Sequence, residues 1–163
     1  MKALFIRHTV LVVAVLFVIS ACGEPQQAKP LSDIGLLTLN GSKEPLSKWR
    51  GKTLILNVWA TWCAPCRKEM PELQKLSERL DPEQFQVLGV SVDKNPILVK
   101  EFLRENGITF ARHIDPDKKI TRGLLGITRL PQTIVIDSQK IIRDRHIGAR
   151  NWSLVDFSKY SHK

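Results

Sequence analysis

The sequence predicts an α/β protein with a central mixed β-sheet flanked by helices. Segments 53–60 and 85–92 are almost entirely apolar and β-prone, as expected of strands covered on both faces of a sheet. Each of them is followed by a helical pattern, and a later strand at 133–137 is followed closely by a hairpin partner at 140–147. Strands that alternate with helices and end in a hairpin indicate a sheet with a partly antiparallel edge.

The N-terminal part of the domain is predicted to contribute a further strand. Residues 34–41 form a β-prone run that ends in the pair Asn40-Gly41, which is typical of a tight turn between strands. A short helical turn is expected at 46–49, closed by Gly51. The central strand at 53–60 follows directly.

The strongest helical pattern runs from Cys63 to about Leu80. One stripe of this helix carries the apolar side chains of Cys66, Met70, Leu73, Leu76 and Leu80, the spacing of a face turned toward a core. Pro71 lies inside the pattern and is expected to kink the helix, because it lacks an amide hydrogen and crowds the preceding turn.

Three further helices are predicted after the second buried strand. Residues 93–96 lead into a helix that runs through Asn106 and is stopped by Gly107. A weaker pattern predicts a short helix at 120–125. A final amphipathic helix is expected at 152–160, with its buried face formed by Trp152, Val155 and Phe157.

Residues 1–21 are predicted to be an export signal. Lys2, Arg7 and His8 form a basic start, and residues 9–19 are almost uninterrupted apolar residues. This run is shorter than the about 20 apolar residues that a membrane-spanning helix needs, and small residues follow it. An uncleaved membrane anchor is the alternative interpretation.

The junction Ile19-Ser20-Ala21-Cys22 resembles the lipobox of bacterial lipoproteins. In that family the signal is removed before the cysteine, which then carries lipid. An ordinary signal peptide with a chance cysteine is the alternative. The polar segment 22–31 is predicted to be a flexible tether and residues 32–163 a single domain outside the cytoplasm. Gly23 after the cysteine, in place of the aspartate associated with inner-membrane retention, favours the outer membrane weakly.

The charge balance does not indicate a nucleic-acid-binding protein. The formal net charge is +9, and without Lys2 and Arg7 the chain retains 23 basic and 16 acidic residues, a net charge of +7. The basic residues are scattered and are not interleaved with aromatic residues. We therefore interpret the excess as a solvated basic surface near an anionic membrane.

Cys63 and Cys66 carry the clearest chemical signal. They lie where the strand 53–60 gives way to a helix, and two cysteines at this spacing can close a small, reversible disulfide. A helix N-terminus favours the thiolate, which is the form that attacks disulfides, so Cys63 is the candidate nucleophile. The chain has three cysteines, so no other thiol remains if Cys22 carries lipid. A structural disulfide or half of a zinc site is the alternative, although zinc normally takes four ligands.

The order of elements and motifs resembles the thioredoxin fold and, within it, the TlpA/ResA-like thiol–disulfide oxidoreductases. Residues 57–71, Asn-Val-Trp-Ala-Thr-Trp-Cys-Ala-Pro-Cys-Arg-Lys-Glu-Met-Pro, are similar to that family's strand, active-site turn and kinked helix almost position by position. Segments 87–93 and 129–137 are similar as well. The resemblance covers about residues 32–150 and implies a thioredoxin-like fold with an N-terminal strand or hairpin extension.

The resemblance implies a role for five residues around the dithiol. Cys63 would be the attacking cysteine, at the helix start and partly exposed, and Cys66 the shielded resolving cysteine. Pro131 would be a cis-proline facing them, which would let the backbone of Leu130 pair with an extended substrate strand. Trp62 would offer an apolar docking surface, with ordinary core packing as the alternative. The redox-active Cys63–Cys66 disulfide would need no cofactor and no metal.

Glu69 is a candidate proton carrier for Cys66. The two residues are three apart on one helix and therefore share a face, and burial of the carboxyl group would raise its pKa. A solvated glutamate beside Arg67 and Lys68 is the alternative. Asn57 departs from thioredoxin itself, whose strand has a buried aspartate here. Because asparagine cannot titrate, proton transfer would fall to Glu69 or to water.

The expected activity is reduction of disulfides in exported proteins. Ala64-Pro65 supplies no cation that would over-stabilise a thiolate, which favours the reducing side of the range. Cytochrome c apoproteins are a typical substrate class of such relatives. The expected partner is a membrane thiol-transfer reductase such as a DsbD/CcdA-type protein. A copper chaperone that binds Cu(I) through Cys63 and Cys66, and a thiol peroxidase of the peroxiredoxin-related group, are the alternative functions.

Overall fold

The computed structural model describes residue 31 and residues 34–161. The predicted signal peptide at 1–21, the lipidation site at Cys22 and the tether up to residue 30 lie outside the described residues.

Within the described part of the chain, seven strands form one mixed sheet in the order β2-β1-β5-β4-β3-β6-β7. Their bounds are β1 Gly35–Thr38, β2 Lys43–Pro45, β3 Thr53–Trp59, β4 Phe85–Ser91, β5 Ala111–Ile114, β6 Gln132–Ile136 and β7 Ile142–Ile147. Strands β3, β4 and β5 are parallel, and the other pairings are antiparallel. The predicted α/β class, the antiparallel edge and the N-terminal hairpin extension are confirmed.

Among the described residues, two α-helices and four short helical turns accompany the sheet. Helix α1 spans Ala64–Arg79 and helix α2 spans Pro96–Glu105. The turns are 3-10 helical at Leu46–Trp49, Trp152–Leu154 and Ser158–Tyr160 and π-helical at Lys119–Leu124. The turn at 46–49, both long helices and the short helical segment near 120 agree with the sequence-based predictions. Helix α1 continues through Pro71.

The core forms around β3, all of whose residues are buried. The predicted stripe of α1 is buried at Cys66, Met70, Leu73 and Leu76, and Leu80 is partly buried against the same core. Helix α2 joins through Phe102, whose ring centroid lies 5.2 Å from that of Trp59 on β3. The central strand β3 therefore packs against the Phe102 ring of α2 and pairs with β4 and β6 along its two edges.

Two glycines are required by the backbone or by close packing. Gly41 has φ +86° in the predicted turn after β1, a backbone conformation that residues other than glycine rarely adopt. Gly89 on β4 lies so close to the core that a Cβ atom would be 2.9 Å from the ring of Phe110 and 3.4 Å from Nε1 of Trp59. The strand can pack here only without a side chain.

The expected helix at 152–160 is wrong. The segment instead contains two separate 3-10 turns. Asn151 Oδ1 accepts hydrogen bonds from the amide and hydroxyl of Ser153, and Asp156 binds the amide and hydroxyl of Ser158 in the same way. These local side-chain bonds compete with helical hydrogen bonding. Trp152 and Phe157 are nevertheless buried, and Val155 is partly buried.

Candidate active site

The two cysteines form a disulfide where β3 passes into α1. The bond joins Cys63 and Cys66 with an S–S distance of 2.10 Å. Cys63 is the N-cap of α1, and its Sγ accepts the backbone amide of Cys66 at 3.4 Å. Pro65 lies in the first turn of the helix, where its missing amide hydrogen costs nothing. The helix start therefore directs the Cys66 amide and the positive end of its dipole toward the Cys63 sulfur.

The two sulfurs differ in burial. Cys63 retains 7% of its exposure in this oxidised form, whereas Cys66 is completely buried. The order of accessibility agrees with an attacking cysteine at the surface and a resolving cysteine beneath it, although Cys63 is less exposed than the sequence suggested. A partner disulfide can approach Cys63 and has no path to Cys66.

The turn before the disulfide is fixed by a buried carboxylate. Asp93, just after β4, accepts the amide of Thr61 at 2.9 Å and its hydroxyl at 2.7 Å. It also accepts the hydroxyl of Ser91 at 2.6 Å. On the other side, Arg67 donates to the Thr61 carbonyl oxygen at 3.0 Å. Every polar group of Thr61 is therefore bonded, which holds the segment that leads into Cys63.

Glu69 lies in a polar cluster enclosed by the protein, and it is 2% exposed. Its Oε1 accepts from Nδ2 of Asn57 at 2.7 Å, and its Oε2 accepts from Nε1 of Trp152 at 3.0 Å and from the amide of Arg150 at 3.4 Å. Asn57 Nδ2 also donates to Oγ1 of Thr133 at 2.9 Å. We call the side chains of Asn57, Glu69, Thr133 and Trp152, with the Arg150 amide, the inner cluster.

Burial raises the pKa of Glu69 above its usual range, and the hydrogen bonds from Trp152, Asn57 and the Arg150 amide oppose the rise. The alternative of a solvated glutamate is therefore wrong. Oδ1 of Asn57 is buried and has no hydrogen-bond partner in the described part of the chain, so the cluster holds one unused acceptor. A carboxyl group with a raised pKa, one helical turn from Cys66, can hold a proton at neutral pH more readily than a surface glutamate.

Hydrogen bonds from helix α1 hold the C-terminal segment at residues 152–155, which contributes Trp152 to the inner cluster. Arg79, in the last turn of α1, donates to the carbonyl oxygens of Ser153 at 2.6 Å, Val155 at 3.3 Å and Trp152 at 3.4 Å. Three bonds from one guanidinium group fix a segment that has little regular structure of its own. They also fix the indole that binds Glu69.

An open groove of about 190 Å³, which we call the outer groove, is lined by Trp62, the residue that precedes Cys63. Its lining includes Val58, Trp62, Val92, Ile127 and Leu130, with Lys118 and Arg122 among the polar residues. Trp62 is 63% exposed, so the alternative of ordinary core packing is wrong for this residue. The groove brings together the two side chains, Trp62 and Leu130, that the sequence suggested for substrate binding.

The peptide bond between Leu130 and Pro131 is cis, as the resemblance implied. Pro131 precedes β6, whose first residue Gln132 pairs with Val58 near the end of β3. The proline therefore lies at the sheet edge from which the Cys63 turn departs.

Sequence reasoning missed several contributors to the site, among them Asp93, Thr133, Trp152 and Arg150. Asp93 directly follows a buried strand, and a carboxylate at that position could have been singled out. No sequence pattern indicated that Trp152 and Arg150 would contact Glu69, because this contact depends on the path of an irregular segment. In the described range, no three His, Cys, Asp or Glu side chains converge on a point where a metal ion could be held.

A family model described as Redoxin matches residues 25–162. The chain belongs to the redoxin family. It is 35% identical over 126 residues to the thioredoxin-like protein YneN of Bacillus subtilis, covering 76% of this chain and 72% of YneN. It is 32% identical over 123 residues to the thiol-disulfide oxidoreductase ResA of Bacillus anthracis, covering 76% and 70%.

Solved redoxin-like structures agree in fold. A secreted thiol-disulfide isomerase of Corynebacterium glutamicum superposes with a TM-score of 0.69 at 29% identity, covering 82% of this chain and 89% of that one. A DsbF homologue of Corynebacterium diphtheriae gives 0.67 at 28% identity, covering 82% and 90%. The fold is thioredoxin-like, and the chain is a thiol–disulfide oxidoreductase. No helix among residues 34–161 has the length and apolar character needed to cross a bilayer.

Proposed function

We propose that this redoxin is a membrane-tethered, extracytoplasmic reductase of disulfides in exported proteins, with Cys22 as its lipid anchor. The observation that carries the proposal is the asymmetric dithiol: Cys63, at a helix N-terminus, retains a small exposure in the oxidised form, whereas Cys66 is fully buried. The apolar run before Cys22 and the polar tether after it support the location. Exported thiol proteins, including apocytochromes c, are the proposed substrate class.

The proposed reaction begins with the reduced protein. The Cys63 thiolate attacks a substrate disulfide, a Cys63–substrate bond forms, and one substrate sulfur leaves as a thiolate that takes up a proton. Cys66 then loses its proton and attacks Sγ of Cys63. The Cys63–Cys66 disulfide forms, the second substrate thiolate leaves, and two electrons have passed to the substrate.

Glu69 is the proposed acceptor of the Cys66 proton. The two residues share a face of α1, and the raised pKa of the buried carboxyl group suits it to take up and release a proton. On the outer side, Trp62 would contact the substrate, and Leu130, positioned by the cis bond to Pro131, would pair with its backbone. A membrane dithiol protein of the DsbD/CcdA type is the proposed source of electrons for the next cycle.

Trapping and redox titration together test this function. A full-length Cys66→Ala variant should accumulate mixed disulfides on Cys63 with exported proteins, and Cys63→Ala should accumulate none. The wild-type couple should titrate near the about −270 mV of thioredoxin, whereas a value near the about −120 mV of DsbA would overturn the proposed direction. Loss of membrane fractionation in Cys22→Ala tests the anchor independently of the chemistry.

A further inference from the structure

The outer groove carries two cations on its rim. Lys118 and Arg122 line the groove and are exposed. Within residues 34–161, neither side chain has an ion-pair or hydrogen-bond partner, whereas the neighbouring Lys119 pairs with Asp117 at 3.6 Å. Both charges are therefore available to a bound molecule.

The rim is held in place by a buried carboxylate. Asp115, after β5, accepts the amides of Ile120 at 3.1 Å and Thr121 at 2.7 Å and the hydroxyl of Thr121 at 2.8 Å. These bonds fix the π-helical turn that carries Arg122. The cations are thus presented by an anchored segment of the chain.

Acidic residues near the groove do not cancel this positive rim at the surface. Asp93 and Asp115 are only 4% and 6% exposed, and both accept the internal hydrogen bonds described above. Asp117 is already paired with Lys119. The same groove is lined by the apolar side chains of Val58, Val92 and Ile127 and by the exposed Trp62.

We propose that the outer groove selects extended substrate segments in which the disulfide cysteine is flanked by an apolar residue and by aspartate or glutamate. The apolar side chain would lie against this apolar lining and Trp62, and the carboxylates would meet Lys118 and Arg122. This inference rests on the proposed function, because it names the substrate class of the same dithiol. Charge complementarity of this kind acts mainly on the rate of encounter and on discrimination between partners.

A peptide series tests the proposal. Each peptide has one cysteine beside a leucine, joined to 2-mercaptoethanol by a disulfide, and differs in two flanking residues that are Glu, Gln or Lys. The protein is reduced with dithiothreitol, freed of it, and mixed with peptide. Each turnover forms one Cys63–Cys66 disulfide and releases the peptide thiol and 2-mercaptoethanol. Rates are normalised to those with dithiothreitol alone, which removes differences in the intrinsic reactivity of the peptides.

The glutamate peptide should react about tenfold faster than the lysine peptide at low ionic strength, with glutamine between them, and 1 M NaCl should remove most of the difference. The double variant Lys118→Asn with Arg122→Gln should bring the two rates within about twofold. Asparagine is chosen because Lys118 has φ +56° and asparagine tolerates this conformation.

A charge-matched control separates the groove from the overall charge of the protein. Lys100→Asn with Arg104→Gln removes two exposed cations from α2 and should keep the tenfold preference. Equal wild-type rates for all peptides, or a preference that survives in the Lys118/Arg122 variant, would overturn the inference while leaving the reductase intact. If the wild type also fails to reduce hydroxyethyl disulfide, the proposed function itself is wrong.

Discussion

The inner cluster and the outer groove each contain a tryptophan and charged groups, but the two regions use them in opposite ways. In the inner cluster, Trp152 is fully buried and its Nε1–H donates to Glu69. In the outer groove, Trp62 is mostly exposed, and the cations of its rim have no partner among residues 34–161. Hydrogen bonds that are completed inside the protein fix positions, whereas groups left incomplete at the surface are free to bind another molecule.

The same substitution at the two tryptophans gives the largest expected contrast. Trp152→Ala should lower the free energy of unfolding by about 4 kcal/mol, because it leaves a cavity in a packed core. It also removes a donor from Glu69. Trp62→Ala should change this free energy by about 0.5 kcal/mol or less, since its side chain is exposed. Denaturant unfolding of both oxidised variants measures the difference, and equal losses would contradict the contrast.

Asp93 connects the sheet to the turn that leads into Cys63. Asp93→Ala should lower the free energy of unfolding by about 2 kcal/mol, because it leaves the partly buried donors of Thr61 and the buried hydroxyl of Ser91 without their acceptor. It should also slow alkylation of Cys63 or make it heterogeneous, as the turn loses its anchor. Asp117→Ala, at an exposed acid paired with Lys119, serves as the control and should leave both measurements close to those of the wild type.

The inner cluster should make stability depend on pH through Glu69. Because burial raises its folded-state pKa, the folded protein retains this proton when the unfolded chain has lost it. Stability from this group is complete below the unfolded pKa of about 4.3 and is lost as pH rises through the folded pKa. Glu69→Gln should remove that loss in the oxidised protein, so the variant gains stability relative to wild type as pH increases.

Urea unfolding at successive pH values measures this difference. Glu72→Gln, on the same helix but in a surface ion pair with Lys75 at 2.9 Å, is the matched control. A pH profile of Glu69→Gln that runs parallel to the wild type would show that the carboxyl group does not titrate in this range.

The smallest expected effect lies at the outer side. Trp62→Ala should reduce kcat/KM for a peptide disulfide by about fivefold, because the peptide loses an apolar contact of about 1 kcal/mol. Reduction of hydroxyethyl disulfide, which is too small to lie along the groove, should change much less. Steady-state kinetics with both substrates measures the ratio, and an equal loss for both would place Trp62 in the chemistry of Cys63 instead.

The sequence was sufficient for the parts of the fold and site that depend on spacing. The apolar run of β3, the stripe of α1 and the Cys-x-x-Cys motif are local patterns with a fixed geometric meaning. The proximity of Glu69 to Cys66 also followed from their separation of three residues on a helix. Burial of Glu69 could only be proposed, because it depends on what covers that face.

The parts that were missed depend on contacts between distant segments. Strand β5 reads Ala-Arg-His-Ile and has no alternation to predict it; it forms because it pairs with β4 and β1. The indole of Trp152 reaches Glu69 across 83 positions of sequence. No periodicity encodes such a contact, since the segment that makes it follows neither a helical nor a strand repeat.

The hydrogen bonds from Arg79 to residues 152–155 connect the C-terminal part of the domain to the surroundings of Glu69, because Trp152 in this segment donates to that carboxyl group. A chain shortened before Trp152 would keep the residues of the seven described strands and of the Cys63–Cys66 disulfide, but it would lose the buried side chains of Trp152 and Phe157. It would also expose the inner cluster to water, and the pKa of Glu69 would fall toward its usual value because burial is what raises it. Removal of this segment would therefore lower the stability of the domain and the burial of Glu69 together.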